Sequence, residues 1–298
     1  MERFLHLVHQ SVRGLSELCF LPICSACGKE LPEWDSKPES RGKSILANPD
    51  HDRLFKRLIF CGRCDDEHCP HYAVRCKQCG AGWSAGFDHD LQSLPPTVES
   101  VRLASGMRLD SSCCWCQRKN HLFNRCFSLG NYENALKKGV LRIKTEGSSE
   151  YAVAMGMMLG QWIEFLIRSE PQSKWDWVLP VPIYWWKRMS RRAVVSETLA
   201  NQVADILQVS MHSNLLYCRR STEKQGRLPL ADRGRNVKGV FGLKGRHRLK
   251  GKNILIVDDV MTSGSTLDEA TKVCLKAGAA EVSVAVLARG VGGSAPSR

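Results

Sequence analysis

The chain has 298 residues, 43% of them hydrophobic and 24% charged, with only 12 prolines, a balance that excludes a disordered chain, a collagen and a mucin-like stalk. At roughly 150 residues per domain this length suits about two domains, each able to bury a core. Lys and Arg number 43 against 30 Asp and Glu, a formal charge of +13, which favours anionic partners without choosing among nucleic acid, phosphorylated metabolites and plain solubility. Residues 181–250 hold 15 Lys or Arg and 4 Asp or Glu, so an anion site should draw on that stretch. No apolar run approaches the ~18 residues of a membrane span, and the start, Met1 to Cys19, lacks the apolar segment of a secretory signal. The expectation is a cytoplasmic protein with no stable membrane insertion.

From the amino terminus, Phe4, Leu5, Val8, Val12, Leu15 and Leu18 recur at helical spacing, which predicts a helix within 1–23. Packing on its own protein is the ordinary role of such a helix, and lying on a membrane surface the rarer one. Cysteine then dominates: of 14 in the chain, 12 lie between Cys19 and Cys126. In a reducing compartment thiolate ligation of zinc is a better account than disulfides.

The spacing supports zinc. Cys24 and Cys27, Cys61 and Cys64, Cys76 and Cys79, and Cys113 and Cys116 are four C-x-x-C pairs, each able to place two sulfurs on one tetrahedral ion. The third pair follows the first by 52 positions, the fourth follows the second by the same offset, and Gly28 and Gly80 follow matching cysteines. One module written twice, with tight turns at the glycines, fits this pattern. Pairing in sequence order and cross-braced pairing use the same cysteines. Cys114 can replace Cys113, and His68, Cys69 and His71 can supply a substitute ligand, although a surface position is the plainer reading for His68 and His71. All-cysteine sites leave no open position for water, so the metal is expected to hold the fold of 24–128 and do no chemistry. The polar run Ser36 to Ser44 reads as an exposed loop.

Beyond Tyr132 strands alternate with helices. A helix is predicted from about Glu150 to Ile167, a strand at Trp177 to Val181, and a helix from about Ser196 to Leu207. A glycine-rich basic segment, Arg219 to Lys252, precedes a strand at Ile254 to Val257, a helix from about Ser265 to Ala277 closed by Gly278, and a strand at Val282 to Leu287. Such alternation implies a parallel sheet with binding loops at the carboxyl ends of its strands. A domain over 132–290 and a small polar, mobile tail over 291–298 complete the chain.

One strand end carries the chemistry. Ile254 to Val257 runs into Asp258 and Asp259, then Val260, Met261, Thr262, Ser263, Gly264, Ser265 and Thr266. Amides at a helix start are unpaired donors with partial positive charge, so 262–266 can cradle a phosphate while Gly264 permits close backbone approach. The two carboxylates suit the hydroxyls of a ribose, directly or through Mg²⁺. Merely capping the strand is the usual fate of such acids, but the whole run resembles the phosphoribosyl pyrophosphate motif of type I phosphoribosyltransferases. No G-x-x-x-x-G-K-[ST] and no credible G-x-G-x-x-G is present, which leaves triphosphate and dinucleotide readings without support.

Three more segments resemble the ComF competence family. They are Trp177 to Pro182 followed by Lys187, Arg188, Arg191 and Arg192; Thr222, Gln225 and Leu228 followed by Arg233 to Phe241, similar to that family's mobile loop; and Leu141 to Lys144, leading into the helix after Tyr151. Cysteine pairs ahead of the transferase domain are also that family's layout. The resemblance departs where the family reads Arg-Gly-Phe-Asn-Gln and this chain has Arg191-Arg192-Ala193-Val194-Val195, so whatever those amides contact is in question here.

The resemblance implies an α/β fold, a type I phosphoribosyltransferase-like parallel sheet flanked by helices, preceded by a cysteine-rich double zinc-ribbon region. It implies displacement at the anomeric carbon of phosphoribosyl pyrophosphate with Mg²⁺, Asp258 and Asp259 orienting ribose and metal, Thr262, Ser263, Gly264, Ser265 and Thr266 binding the 5-phosphate, and Lys144, Arg191, Arg233 and Arg235 as candidates for pyrophosphate. Taken singly, each arginine can equally be a solvated surface charge. A link to DNA uptake follows from the same resemblance, with single-stranded DNA and competence-machinery proteins as partners. A different class of reading makes the chain a non-catalytic single-strand binder that uses the sugar-phosphate site as a sensor, with Trp175, Trp177, Trp185 and Trp186 as stacking platforms.

Overall fold

The computed structural model describes residues 23–29, 60–70, 72, 74–83, 100–102, 108–110, 113, 116, 120–146, 149–168, 174–184, 194–221, 235–245 and 249–291. The chain divides into two compact units, Met1–Asp66 and Glu67–Arg298. The expected amino-terminal helix, the loop at Ser36 to Ser44, His71, Cys114, Trp185, Trp186, Lys187, Arg188, Arg191, Arg192, Arg233 and most of the tail lie outside the described residues.

In the first unit the described chain consists of the turn around Cys24 to Cys27 and the start of helix α1 (Gly62–His68). The second unit opens with four short strands, β1 (Val74–Cys76), β2 (Gly82–Trp83), β3 (Ser100–Arg102) and β4 (Arg108–Asp110). They form a sheet in the order β2-β1-β4-β3, in which the outer pairs are antiparallel and β1 lies parallel to β4.

The larger layer follows, in chain order β5 (Cys126–Asn131), α2 (Asn134–Glu146), α3 (Ser149–Arg168), β6 (Trp177–Pro180), α4 (Val195–Leu207), β7 (Ser210–Met211), β8 (Leu216–Cys218), β9 (Phe241–Leu243), β10 (Asn253–Met261), α5 (Ser265–Lys276) and β11 (Glu281–Arg289). Five of these strands make a sheet in the order β5-β11-β10-β6-β7, and every pairing in it is parallel. Strands β8 and β9 form a separate antiparallel pair. Ile254 to Val257 and Val282 to Ala288 are buried without a break, as strands covered on both faces must be. Ile254, Ile256, Val282, Val284 and Val286 alternate along β10 and β11 and share one core with Leu267, Ala270 and Cys274 of α5, while α3 and α4 also pack on the sheet and on each other.

The predicted helices are present to within about two residues, and α5 closes at Gly278 in a left-handed conformation (φ 90°). Two differences matter for the site. Strand β10 does not stop at Val257 but runs to Met261, because β11 continues beside it and pairs Asp258 with Val286, Val260 with Ala288 and Met261 with Arg289. The carboxylates therefore sit within a strand. The sheet's edge strand β5, unforeseen in a segment read as part of the cysteine region, is buried along its whole length and pairs with β11 from Cys126↔Val284 to Asn131↔Arg289. Leu141 to Lys144 belong to the last turns of α2. Among the described residues no helix is long and apolar enough to cross a membrane.

Candidate functional site

The eight paired cysteines gather in sequence order: Cys24, Cys27, Cys61 and Cys64 in one tetrad, Cys76, Cys79, Cys113 and Cys116 in another, with the sulfurs of each set within 4.8 Å of one another. The cross-braced alternative is thereby excluded. Both knuckles are built alike. Gly28 and Gly80 each take φ 72°, and each donates its N–H to the carbonyl of the first cysteine at 2.8 Å. A side chain at that φ would be strained, which is why glycine follows the pair. At the second pair of each tetrad a backbone bond closes a turn, Asp65 N–H donating to Cys61 O and Cys116 N–H to Cys113 O, both at 2.9 Å.

The sulfurs fit a metal. In the second tetrad Cys79 and Cys113 lie 3.5 Å apart, and Cys76 and Cys116 3.7 Å. The sulfurs of Cys113, Cys116 and Cys76 pull the Cys79 thiol well below its ordinary range, while the Cys113 sulfur, first among its neighbours, pushes Cys76 up. Four sulfurs this close cannot all ionise unless a cation sits among them, and four thiolates at tetrahedral reach suit zinc. In the first tetrad burial opposes ionisation of Cys24, yet the backbone N–H groups of Cys27, Cys61 and Ala26 outweigh it and bring the thiol down to about 7. His68 belongs to neither set. It is buried rather than exposed, and its Nε2 shares a 2.6 Å hydrogen bond with the Tyr151 hydroxyl.

The paired acids lie at the carboxyl end of β10, in the middle of the parallel sheet. Burial, followed by the neighbouring charge of Asp259, pushes Asp258 up to about 7 against the opposing Asp259 N–H and Lys144. The Asp259 N–H donates to Asp258 Oδ1 at 2.9 Å. Lys144, at the end of α2, reaches Asp259 Oδ2 at 2.9 Å. Burial works against the Lys144 charge, but the attraction of Asp259, with Asp258 behind it, holds the ammonium above its ordinary pKa. Lys144 is thus brought to the site, against an acid.

Past Met261 the chain turns through Thr262 and Ser263 into Gly264, which takes φ 72° at the start of α5 with no side-chain cap. Ser263 Oγ lies 3.1 Å from Ser265 Oγ. A twelve-residue helix thereby begins beside two carboxylates, and its first-turn amides point where an anion is favoured. Arg235 is exposed in the short turn 235–237.

Sequence reasoning passed over two residues here. The buried guanidinium of Arg289, at the end of β11, donates to the carbonyls of Met261, Thr262 and Gly290. The His121 ring abuts Gly264, where an added methyl would come within 2.5 Å of its Cε1. A charged residue closing a long apolar run was a signal for Arg289, whereas nothing local marks His121.

The family model of the phosphoribosyl transferase domain matches residues 193–298. DNA utilization protein YhgH of Salmonella typhimurium is 33% identical over 178 residues, covering 59% of this chain and 77% of the relative. The protein of the same name from Escherichia coli (strain K12) is 30% identical over 178 residues with the same coverage. Competence protein F of Haemophilus influenzae is 25% identical over 178 residues, covering 59% of this chain and 78% of the relative. With a parallel sheet that ends in paired acids and a glycine-capped helix, and with relatives of this kind matched over most of their length, the chain carries a phosphoribosyl transferase domain and belongs to the ComF family.

Proposed function

We propose that the chain binds phosphoribosyl pyrophosphate with Mg²⁺ and acts as a phosphoribosyltransferase linked to DNA uptake. The observation that carries this reading is the junction of β10 and α5, where Asp258 and Asp259 stand beside a left-handed Gly264 and the uncapped start of a helix. The amides and hydroxyls of 262–266 hold the 5-phosphate, and the two acids orient the ribose hydroxyls. Lys144 holds Asp259 in place in the ligand-free protein, and is available to pyrophosphate once that acid engages the ligand. Bound Mg²⁺ supplies charge neutralisation to the departing pyrophosphate. Displacement at the anomeric carbon builds positive charge on the sugar, so the protein's task is to position the reactants and stabilise that charge while excluding water. Arg191, Arg233 and Arg235 remain proposals for pyrophosphate contact. The tetrads, as zinc sites, hold structure. The link to DNA rests on the names of the relatives, DNA utilization protein and Competence protein F.

Calorimetry with phosphoribosyl pyrophosphate and Mg²⁺ tests the site. The parent should bind, and Asp258→Asn with Asp259→Asn should not; equal affinity in both proteins removes the assignment. Those same relatives favour a second reading, a single-strand binder in which the sugar-phosphate site is a sensor. Its test is salt-dependent binding of single-stranded DNA with and without phosphoribosyl pyrophosphate, and no binding at low salt ends it.

A further inference from the structure

The second tetrad and the loop at 262–266 share two supports that lie outside the sequence motif. His121 follows Cys116 by five positions. Its ring stacks on Phe123, with centroids 4.7 Å apart and planes 17° apart. Phe123 in turn lies in the buried cluster that contains Cys76, Cys79, Cys113 and Cys116 together with Met261 and Leu267. The imidazole thus lies between a ring of the cluster that holds the cysteines and the backbone of Gly264. Its Nδ1 donates to the Asp268 carboxylate, 3.1 Å from Oδ2, and the Leu122 N–H donates to Asp268 Oδ1 at 3.0 Å. Asp268 stands in the first turn of α5, the turn whose amides face the loop.

Arg289 supports the other side. Its guanidinium takes up the carbonyls of Met261 and Thr262 where the strand becomes the loop, and Gly290 N–H adds a 2.7 Å bond to Met261 O. A charge that engages the carbonyls fixes the peptide planes, and with them the direction of the amides that follow. Arg289 also connects to the strands that carry the tetrad: it pairs with Asn131 of β5, whose side-chain amide accepts from Gly82 N–H at 3.1 Å and donates to Gly82 O at 2.7 Å, in the strand beside β1, which ends at Cys76.

We propose that His121 and Arg289 are positioning residues that make the second tetrad part of the phosphate-binding loop, so that 262–266 keeps its shape only while a metal holds Cys76, Cys79, Cys113 and Cys116 together. The inference rests on the reading of 262–266 as a phosphate loop. Its physical basis is twofold. Without the metal the four sulfurs lose the ion that binds them, the layer beneath Phe123 loosens, and the imidazole is no longer pressed on Gly264. Loss of the imidazole contact then lets the Asp268 carboxylate shift within the helix turn that should receive an anion, where a nearby negative charge repels it. The supporting contacts all lie within Glu67–Arg298.

Two measurements on the full chain test this, one without any ligand. Backbone amide exchange over 262–268 is followed by mass spectrometry while a chelator strips the metal, and in His121→Ala, His121→Asn and Arg289→Gln with their metal content verified. Exchange should quicken as the second tetrad empties and in His121→Ala and Arg289→Gln, and His121→Asn, which keeps a donor for Asp268, should recover part of the protection. Ribose 5-phosphate binding, read by calorimetry, should weaken about tenfold in His121→Ala, as expected for a lost hydrogen bond to a charged group. Unchanged exchange after full metal removal, or a His121→Ala protein that matches the parent in both readouts, overturns the inference. A parent that binds no ribose 5-phosphate overturns the proposed function instead, and the exchange data still decide the coupling.

Discussion

The two tetrads use the same ligands, the same spacing and the same left-handed glycine, yet their surroundings differ. In the first, Cys27 is exposed and Cys61 half-buried, whereas in the second all four cysteines are buried to 2% exposure or less. The second also shares its core with the parallel sheet, through Ile254, Ile256, Val284 and Val286. A repeated sequence module thus produces two different physical objects. One depends on its ion with few described apolar neighbours, and the other is a layer of the transferase core.

The largest test of this contrast is to remove one ligand from each. Cys76→Ser should lower the stability of the sheet-bearing unit by about 4 kcal/mol or more, since it loses a metal and leaves buried sulfurs unbound. Cys27→Ser should leave the main thermal transition of that unit near its parent value. Calorimetric unfolding of both variants, with metal content measured alongside, gives the comparison, and equal shifts would erase it.

The knuckle glycines give a second, smaller test. At Gly28 an added Cβ meets nothing within 4 Å, so Gly28→Ala bears only the backbone strain, about 1–2 kcal/mol. At Gly80 the same atom would lie 3.1 Å from Ser128 Cβ and 3.2 Å from Cys126 O. Gly80→Ala therefore adds overpacking of about 1–3 kcal/mol to that strain. Denaturant unfolding should rank Gly80→Ala clearly below Gly28→Ala, and the reverse order would mean that the two knuckles differ otherwise than in their packing.

Metal release gives a third. A thiol-competing chelator should draw metal in two phases, the fast one from the first tetrad, where Cys27 is exposed, and the other slower by about tenfold or more, because reaching four buried sulfurs requires local opening. A single phase in stopped-flow colorimetry contradicts the difference in burial.

The smallest effect lies at the paired acids. Asp258 has its folded-state pKa raised to about 7 by burial and by Asp259. Its bound proton therefore contributes stability that is complete below the ordinary carboxylate range and is lost as pH rises through about 7. Asp258→Asn should melt with the parent near pH 4 and a few degrees above it at pH 8, while losing the proposed ligand. A constant difference across that range would show that Asp258 titrates elsewhere.

Much of the site was legible in the sequence because its parts are contiguous. The run from Ile254 to Thr266 contains the strand, the acids and the loop, and a strand followed by a glycine-capped helix is a local arrangement. The C-x-x-C pairs are legible for the same reason, since two sulfurs three residues apart can reach one ion. What escaped notice was non-local. Strand β5 acquires its identity from β11, more than 150 residues later, and its sequence Cys126 to Asn131 has no alternating pattern to announce it. The length of β10 was likewise set by the strand beside it.

The sequence by itself determined the pairs of cysteines, the parallel α/β order and the acid and glycine chemistry at one strand end, because these depend on residues within a few positions of one another. Only the tertiary structure decided which pairs share a tetrad, that Lys144 meets Asp259, and that His121 and Arg289 brace the loop. Those contacts join segments separated by 27 to 147 residues. Packing in three dimensions brings such segments together, and no periodicity along the chain records it.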